Sequence, residues 1–148
     1  MRLLGGRRLS VKGGKEGLFL PAELSSAGRL LIAEGPTDTA ALLDLGFSAV
    51  GRPSCQGGAD LLTELVRQRE AAEVVIVADA DGAGRSGAEA LAAVLLACVK
   101  TARVIFPPAE IKDARQWKQH GATFGEIEQT ILATQPHKLK ITVKGFDK

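Results

Sequence analysis

The residues of this chain best suited to chemistry are acids placed directly after predicted strands. Asp79 and Asp81 follow the apolar run EVVIVA (73–78). Residues two apart in an extended chain face the same way, with about 6–7 Å between their Cα atoms, so these carboxylates repel each other unless a cation lies between them. Magnesium prefers such oxygen ligands and keeps waters and substrate phosphates in its shell. The pair therefore predicts a divalent-metal site that could polarise a phosphoryl group.

Two further acids follow the first predicted strand. Glu34 comes directly after RLLIA (29–33), and Asp38 lies one helical turn later, so both could project into the same cleft. Four carboxylates converging there would suit one or two metal ions that organise an in-line displacement at phosphorus. A structural role for Asp38 stays open, because the dipole of a helix favours any acid in its first turn.

The predicted elements place these acids at one edge of a parallel sheet. Apolar runs alternate with segments of helical periodicity, which is typical of an α/β fold with helices on both faces of the sheet. Ligands of such sheets bind at the carboxyl ends of the strands. The predicted strands are residues 29–33, 48–51, 73–78 and 103–107, and the predicted helices are residues 37–46, 59–71, 86–99, 113–121 and 123–134.

Both ends of the chain are basic, whereas its middle is acidic. Residues 1–29 hold six basic and two acidic side chains, and residues 136–148 hold four basic and one acidic. Residues 30–135 hold nine basic and fourteen acidic side chains. Basic ends could attract a polyanion that the acidic middle would repel unless cations neutralised it.

The same contrast suggests how the chain is divided. Residues 7–21 predict two short extended pieces around a glycine-rich turn, a β-hairpin, and residues 139–144 alternate like an edge strand or a linker. We therefore predict a basic extended segment at residues 1–28, one main domain at 29–134 and a basic tail at 135–148.

Composition sets limits on the class of protein. The 148 residues suit one compact domain, and no apolar run approaches the roughly 18 residues of a membrane span. No stretch has the character of a signal peptide. Two cysteines cannot form a four-thiolate zinc site and do not indicate a disulfide framework. A cytoplasmic location is the resulting expectation.

A dinucleotide site is a competing interpretation of the segment after EVVIVA. Gly82, Gly84 and Gly87 match the pattern Gly-x-Gly-x-x-Gly between a strand and a helix, and Glu110 lies near the expected acidic position. In such a site the bound pyrophosphate would lie beside two carboxylates without a counter-ion, which disfavours this interpretation.

The segments LLIAEGPTDTAALLDLG and VVIVADADGAGRSGAEAL together resemble the TOPRIM family of primases, topoisomerases, recombination mediators and small nucleases. The family pattern is a strand ending in Glu-Gly with an Asp four residues after the Glu, followed by a strand ending in Asp-x-Asp. The resemblance covers roughly residues 28–125. It is greatest to bacterial and phage-type primases, on the run DADGAGR and on the later segment KDARQW (112–117).

This resemblance implies a fold and a set of site residues. The fold is a Rossmann-like TOPRIM sheet of about four parallel strands, flanked by helices. The implied catalytic residues are Glu34, as the acid of the first motif and candidate general base, with Asp79 and Asp81. The implied ligands of Mg²⁺, with Mn²⁺ as a substitute, are Glu34, Asp38, Asp79, Asp81 and Asp113.

The resemblance also implies cations that hold phosphate. Arg85 and Lys112 would bind the phosphates of a nucleoside triphosphate or a primer, and the alternative for each is a solvated cation at a helix end. The third motif departs from the primase pattern, because primases typically continue with Pro and another acid where this chain has Ala114 and Arg115.

The implied function is magnesium-dependent nucleotidyl transfer that makes RNA primers on a DNA template, carried out by the catalytic core of a primase or primase–helicase. The implied partners are single-stranded DNA, nucleoside triphosphates and a replicative helicase in cis or trans. The chain has no tyrosine for a topoisomerase nucleophile, and its two cysteines cannot form the four-cysteine zinc site of a recombination mediator. Two alternatives stay open: a metal-dependent nuclease that uses the same acids, and a non-enzymatic module that binds nucleic acid or a helicase through its basic ends.

Overall fold

A computed structural model of the chain describes residues 2–4, 7–9, 15–25 and 28–139. Its centre is a four-stranded parallel sheet in the order β4-β3-β5-β6. The predicted α/β class with a parallel sheet is therefore confirmed. The strands are β3 (Arg29–Glu34), β4 (Ala49–Arg52), β5 (Glu73–Val77) and β6 (Thr101–Ile105).

Helices cover both faces of this sheet, which explains why its central strands are continuous apolar runs. One layer contains α2 and α3, and the opposite layer contains α1, α4 and α5. The helices are α1 (Gly35–Asp44), α2 (Ala59–Arg69), α3 (Gly82–Leu95), α4 (Ala114–Gln119) and α5 (Phe124–Ala133).

Alternation along the strands decides which layer each side chain joins. Leu30 and Ile32 of β3 pack in the core beneath α2 and α3, whereas Leu31 and Ala33 pack in the opposite core. The period of two places Glu34 on the α2–α3 side of the sheet. Arg52 is the register partner of Glu34 at the end of β4 and follows the same alternation from Val50.

Two helices begin earlier than the sequence predicted, and both differences bear on the site. Helix α1 begins at Gly35, not residue 37, because Pro36 fits the first turn of a helix. Helix α3 begins at Gly82, not residue 86, because the Asp81 carboxylate accepts a hydrogen bond from the Gly84 amide at 2.7 Å and caps the helix. The strand predicted at 103–107 lies at 101–105.

Segments outside the main alternation pair with each other or with the edges of the sheet. Strands β1 (Arg2–Leu4) and β2 (Arg7–Leu9) form an antiparallel hairpin, which lies earlier in the chain than the predicted residues 7–21. Phe19 bridges Gly51 through two backbone hydrogen bonds of 2.8 Å, and the His137 amide donates to the Ala102 carbonyl at 2.7 Å. These contacts partly cover the edge strands β4 and β6. Most of the predicted strand at 139–144 lies outside the described residues.

The amino end of the sheet is joined by ion pairs. Arg29 donates to Glu73 at 2.6 Å and to Glu128 at 2.7 Å, and Arg103 pairs with Glu73. This network connects β3, β5, β6 and α5 at the edge opposite the predicted site. None of the helices in the described part of the chain has the length and apolar character needed to cross a membrane.

Candidate active site

Glu34 stands at the point where β3 passes into α1. Gly35 has a φ of +75°, a conformation that glycine adopts readily, and this lets the chain turn from strand to helix directly after Glu34. Glu34 occupies the N-cap position of α1, but its side chain makes no capping hydrogen bond. Its half-buried carboxylate is therefore available at the carboxyl end of the central strand.

Asp38 lies one turn further on, buried between α1 and α4. Its carboxylate accepts a hydrogen bond from the Arg115 amide at 3.0 Å. Burial raises the pKa of Asp38 to about 6, and the nearby carboxylates of Asp113 and Glu34 raise it as well. The hydrogen bond from the Arg115 amide and the positive charge of the Arg115 side chain both lower it. This acid therefore joins the two helices and faces other carboxylates.

Asp79 lies just beyond β5, in a loop held by the hydrogen bond from the Ala80 amide to the Lys112 carbonyl at 2.8 Å. Burial raises the pKa of Asp79 to about 7, and the carboxylates of Glu34, Asp38 and Asp113 raise it further, with Lys112 as the opposing charge. Asp79 is thus the acid of the cluster whose pKa is raised by three other carboxylates.

The two remaining predicted ligands cap helices. The Asp113 carboxylate accepts a hydrogen bond from the Gln116 amide at 2.8 Å and is buried at the start of α4. The Asp81 carboxylate caps α3 and is exposed. The structure therefore brings together Glu34, Asp38, Asp79 and Asp113, and it places Asp81 at the neighbouring helix end.

This arrangement fits an open metal site and not a closed cage. Within the described residues, no three side chains of His, Cys, Asp or Glu are arranged so that they could hold a metal ion by themselves. Mg²⁺ seldom uses an all-protein cage, because it binds through one or two carboxylates and completes its shell with water and substrate phosphates. Carboxylate oxygens of Glu34 and Asp79 at adjacent strand ends suit that mode.

The two predicted phosphate-binding cations are both exposed but lie in different surroundings. Lys112 borders the acids, since its charge opposes the rise in the pKa of Asp79. The Arg85 guanidinium stacks over the Phe106 ring, 4.2 Å from its centroid, which directs it toward the segment after β6. Their role in binding phosphate stays a prediction.

Arg52 is a site residue to which the sequence analysis assigned no role. It is only 4% exposed, and its pKa is lowered by burial, with Cys55 and Glu34 acting in the opposite direction. The guanidinium Nε donates to the Gly57 carbonyl at 2.9 Å, and Nη1 donates to the Gly87 carbonyl at 3.4 Å. Its position after the run SAV, at the ligand edge of the sheet, was the available signal, but its burial depends on the packing of α3.

Close packing accounts for two glycines of the dinucleotide-like run. A Cβ atom on Gly84 would lie 2.5 Å from the Asp79 carbonyl oxygen, and one on Gly87 would overlap the Cys55 carbonyl. These glycines let α3 approach the two loops at the carboxyl edge. Close packing therefore explains why glycine stands at these two positions, without a bound pyrophosphate.

Comparison with known protein families and with curated proteins finds no match. Solved structures do match, and those described below contain primase domains. A DnaG catalytic core is 24% identical with a TM-score of 0.63, and the match covers 76% of this chain and 36% of that one. A DnaG primase catalytic domain bound to single-stranded DNA is 25% identical with a TM-score of 0.59, covering 73% and 34%.

A more distant match is a bacteriophage T7 lagging-strand polymerase complex. It contains primase domains bound to an RNA/DNA hybrid and dTTP, and it is 20% identical with a TM-score of 0.54, covering 76% and 58%. The chain spans about a third of the length of the first DnaG structures that it matches. The chain therefore has a primase-like TOPRIM fold.

Proposed function

We propose that the chain is the TOPRIM catalytic core of a DNA primase or primase–helicase, which joins ribonucleotides on a DNA template with magnesium. The observation that carries this proposal is the convergence of Glu34, Asp38, Asp79 and Asp113 at the carboxyl edge of a primase-like fold. Neighbouring carboxylates repel one another, so the cluster favours a divalent cation between them.

The metal would be held by Glu34 and Asp79, with Asp38 and Asp113 on the rim and Asp81 at the adjacent helix end. When bound, magnesium or manganese would neutralise the triphosphate and polarise its α-phosphate. Lys112 borders the same acids, which supports a role in holding the leaving phosphates.

Glu34 is the candidate general base, because its carboxylate lies at the strand end and makes no capping hydrogen bond. In nucleotidyl transfer, the 3′-oxygen of the growing primer forms a bond to the α-phosphorus. The bond between the α- and β-phosphates breaks, and pyrophosphate leaves. Glu34 takes the proton of the 3′-hydroxyl.

Similarity to the solved structures suggests the partners. One neighbour is a primase domain bound to single-stranded DNA, and another contains primase domains bound to an RNA/DNA hybrid and dTTP. For this chain we propose a single-stranded DNA template and nucleoside triphosphates. A replicative helicase in cis or trans is a further proposed partner.

The test is primer synthesis by the full protein that carries this chain, with ribonucleotides, single-stranded DNA and Mg²⁺. Glu34→Gln and Asp79→Asn should each lower the rate by about 100-fold or more, because each removes a charge required at the phosphoryl centre. Glu64→Gln is the matched control, since Glu64 is an exposed acid in the middle of α2. Synthesis that survives both site substitutions would contradict the proposal.

The same proteins distinguish the alternatives. Metal-dependent cleavage of DNA or RNA in the absence of nucleotides, lost in both site variants, would identify a nuclease built on the same acids. Absence of primer synthesis and cleavage, combined with DNA binding that tolerates loss of all four acids, would identify a binding module.

A further inference from the structure

Arg52 is a buried cation without an ionic partner among the described residues. It is 4% exposed, and none of the salt bridges in the described part of the chain involves it. A buried charge is costly unless it is paired or bonded. The charge of Glu34, its register neighbour, raises the pKa of Arg52, but the two side chains do not form an ion pair.

Two of the three guanidinium nitrogens have backbone acceptors, and the third does not. Nε donates to Gly57 and Nη1 to Gly87, which fixes the plane of the group between the loop after β4 and helix α3. Nη2 has no acceptor among the described residues. Arg52 is thus held in place with one donor nitrogen still available.

The cleft beside Arg52 is polar at one end and apolar at the other. It has a volume of about 220 Å³. Arg52, Cys55, Gln56 and Ser86 supply polar groups, whereas Ala90, Leu91 and Val94 of α3 supply an apolar wall. A ligand with one anionic end and one flat apolar end would match both parts.

The first turn of α2 adds to the polar end. Ala59, the first residue of α2, lines the cleft, and the helix follows Gly58, which has no side chain to cap it. Amides at the start of a helix are donors, and the helix dipole favours an anion there. Arg52 and these amides both favour an anion, and the exposed carboxylate of Asp60 in the same turn opposes it.

Arg52 also borders the acids of the candidate site. A second, much smaller cavity of about 10 Å³ has Arg52, Cys55, Glu34 and Asp79 among its lining residues. Arg52 lines both spaces. An anionic group at Arg52 would therefore lie next to the proposed metal position.

We propose that this cleft binds a nucleoside phosphate, with a phosphate group on Arg52 and the start of α2 and the base against Leu91 and Val94. A guanidinium suits a phosphate because its planar donors match phosphate oxygens. The catalytic meaning of the site rests on the proposed function, whereas binding to Arg52 requires neither magnesium nor turnover.

The test uses the 148-residue chain in EDTA, titrated with ATP and followed by calorimetry. Arg52→Gln should raise the Kd at least about tenfold, because a charge-assisted hydrogen bond to phosphate is lost. Arg67→Gln is the matched control, an exposed arginine on α2 away from the cleft, and it should leave the Kd unchanged. Undiminished binding by Arg52→Gln would overturn the inference.

Further titrations separate the sources of phosphate. Pyrophosphate should bind more weakly than ATP if the base packs against the apolar wall, and equal affinity would overturn that part of the inference. The same variant is then titrated with a short single-stranded DNA. If Arg52→Gln lowers the affinity for DNA more than the affinity for ATP, the cleft is assigned to the DNA strand. An equal or larger loss for ATP would assign it to the free nucleotide.

The wild-type protein gives a readout that does not depend on a variant folding. The NMR signal of the Arg52 Nε–H group should shift as ATP is added, and an unmoved signal would overturn the inference even if ATP binds elsewhere. Arg52→Lys keeps the charge but loses the planar donors, so it should restore only part of the affinity. Arg52-dependent ATP binding in a protein without primer synthesis would reject the proposed function and leave this inference standing.

Discussion

At the scale of single residues, the site consists of partly buried carboxylates that the fold holds near one another. Asp79 lies among Glu34, Asp38 and Asp113, and its pKa is raised to about 7 from 3.8. The folded protein therefore holds a proton on Asp79 at pH values where the unfolded chain has released it. The consequence is a stability that depends on pH and on metal.

In metal-free protein, the contribution of Asp79 to stability should be fully present below about pH 4 and lost as the pH rises through about 7. Asp38, with a pKa of about 6, acts in the same direction. Asp79→Asn should therefore raise the free energy of unfolding at pH 8 by on the order of 1–2 kcal/mol, allowing for solvent screening of a half-buried group.

Urea unfolding in EDTA at pH 5 and pH 8 measures this effect, with Glu64→Gln as the exposed control. Adding Mg²⁺ at pH 8 should stabilise the wild type by mass action and stabilise Asp79→Asn much less. A wild type that is more stable at pH 8 than at pH 5 without metal would contradict the assigned electrostatics.

At the scale of elements, helix caps decide where the acids stand. Asp81 caps α3 through the Gly84 amide, and this bond sets the start of the helix that carries Arg85. Asp81→Ala should lower stability by about 1 kcal/mol, whereas Asp81→Ser should retain most of it, because serine caps equally well.

The two variants also separate capping from metal binding. If Asp81 is a metal ligand as well as a cap, Asp81→Ser should bind Mn²⁺ more weakly while unfolding like the wild type. Wild-type Mn²⁺ affinity in Asp81→Ser would assign Asp81 to the cap alone.

Close approach of α3 to the loop after β4 depends on Gly87. A Cβ atom there would overlap the Cys55 carbonyl, whereas one on Gly82 would meet nothing within 4 Å. Gly87→Ala should therefore destabilise the fold by about 1–3 kcal/mol or more, and Gly82→Ala should be close to neutral. Thermal unfolding of the pair checks this, and equal melting temperatures would show that α3 does not pack as described.

At the scale of the whole molecule, stability and chemistry lie at opposite ends of the sheet. Glu73 joins Arg29 and Arg103 at the amino end, whereas the acids lie at the carboxyl end. Glu73→Gln should cost about 1–3 kcal/mol, because it leaves two partly buried cations short of their partner. Mn²⁺ affinity should not change.

Asp44→Asn is the matched control for Glu73→Gln, since Asp44 forms an exposed pair with Lys118. An exposed ion pair contributes less than about 1 kcal/mol, so this variant should unfold nearly like the wild type. Urea unfolding measures both variants. If they lose the same free energy of unfolding, the ion-pair network at the amino end contributes no more than an exposed ion pair.

Much of the site could be predicted because the carboxyl ends of parallel strands can be recognised from the chain. EVVIVA and RLLIA are long apolar runs, and the acids directly after them must lie at the same edge of the sheet. Glu34, Asp38, Asp79 and Asp113 follow from that rule together with the family resemblance. The parallel sheet itself follows from the alternation of strands and helices.

The sequence by itself determined the order of elements and the acids at the strand ends, because both depend on local periodicity and on neighbours along the chain. Tertiary structure alone decided that Arg52 is buried beside Glu34. It also decided that Gly87 touches the Cys55 loop, 32 residues away along the chain. Such contacts join distant segments, and their burial and register exist only after the sheet and its helix layers have packed.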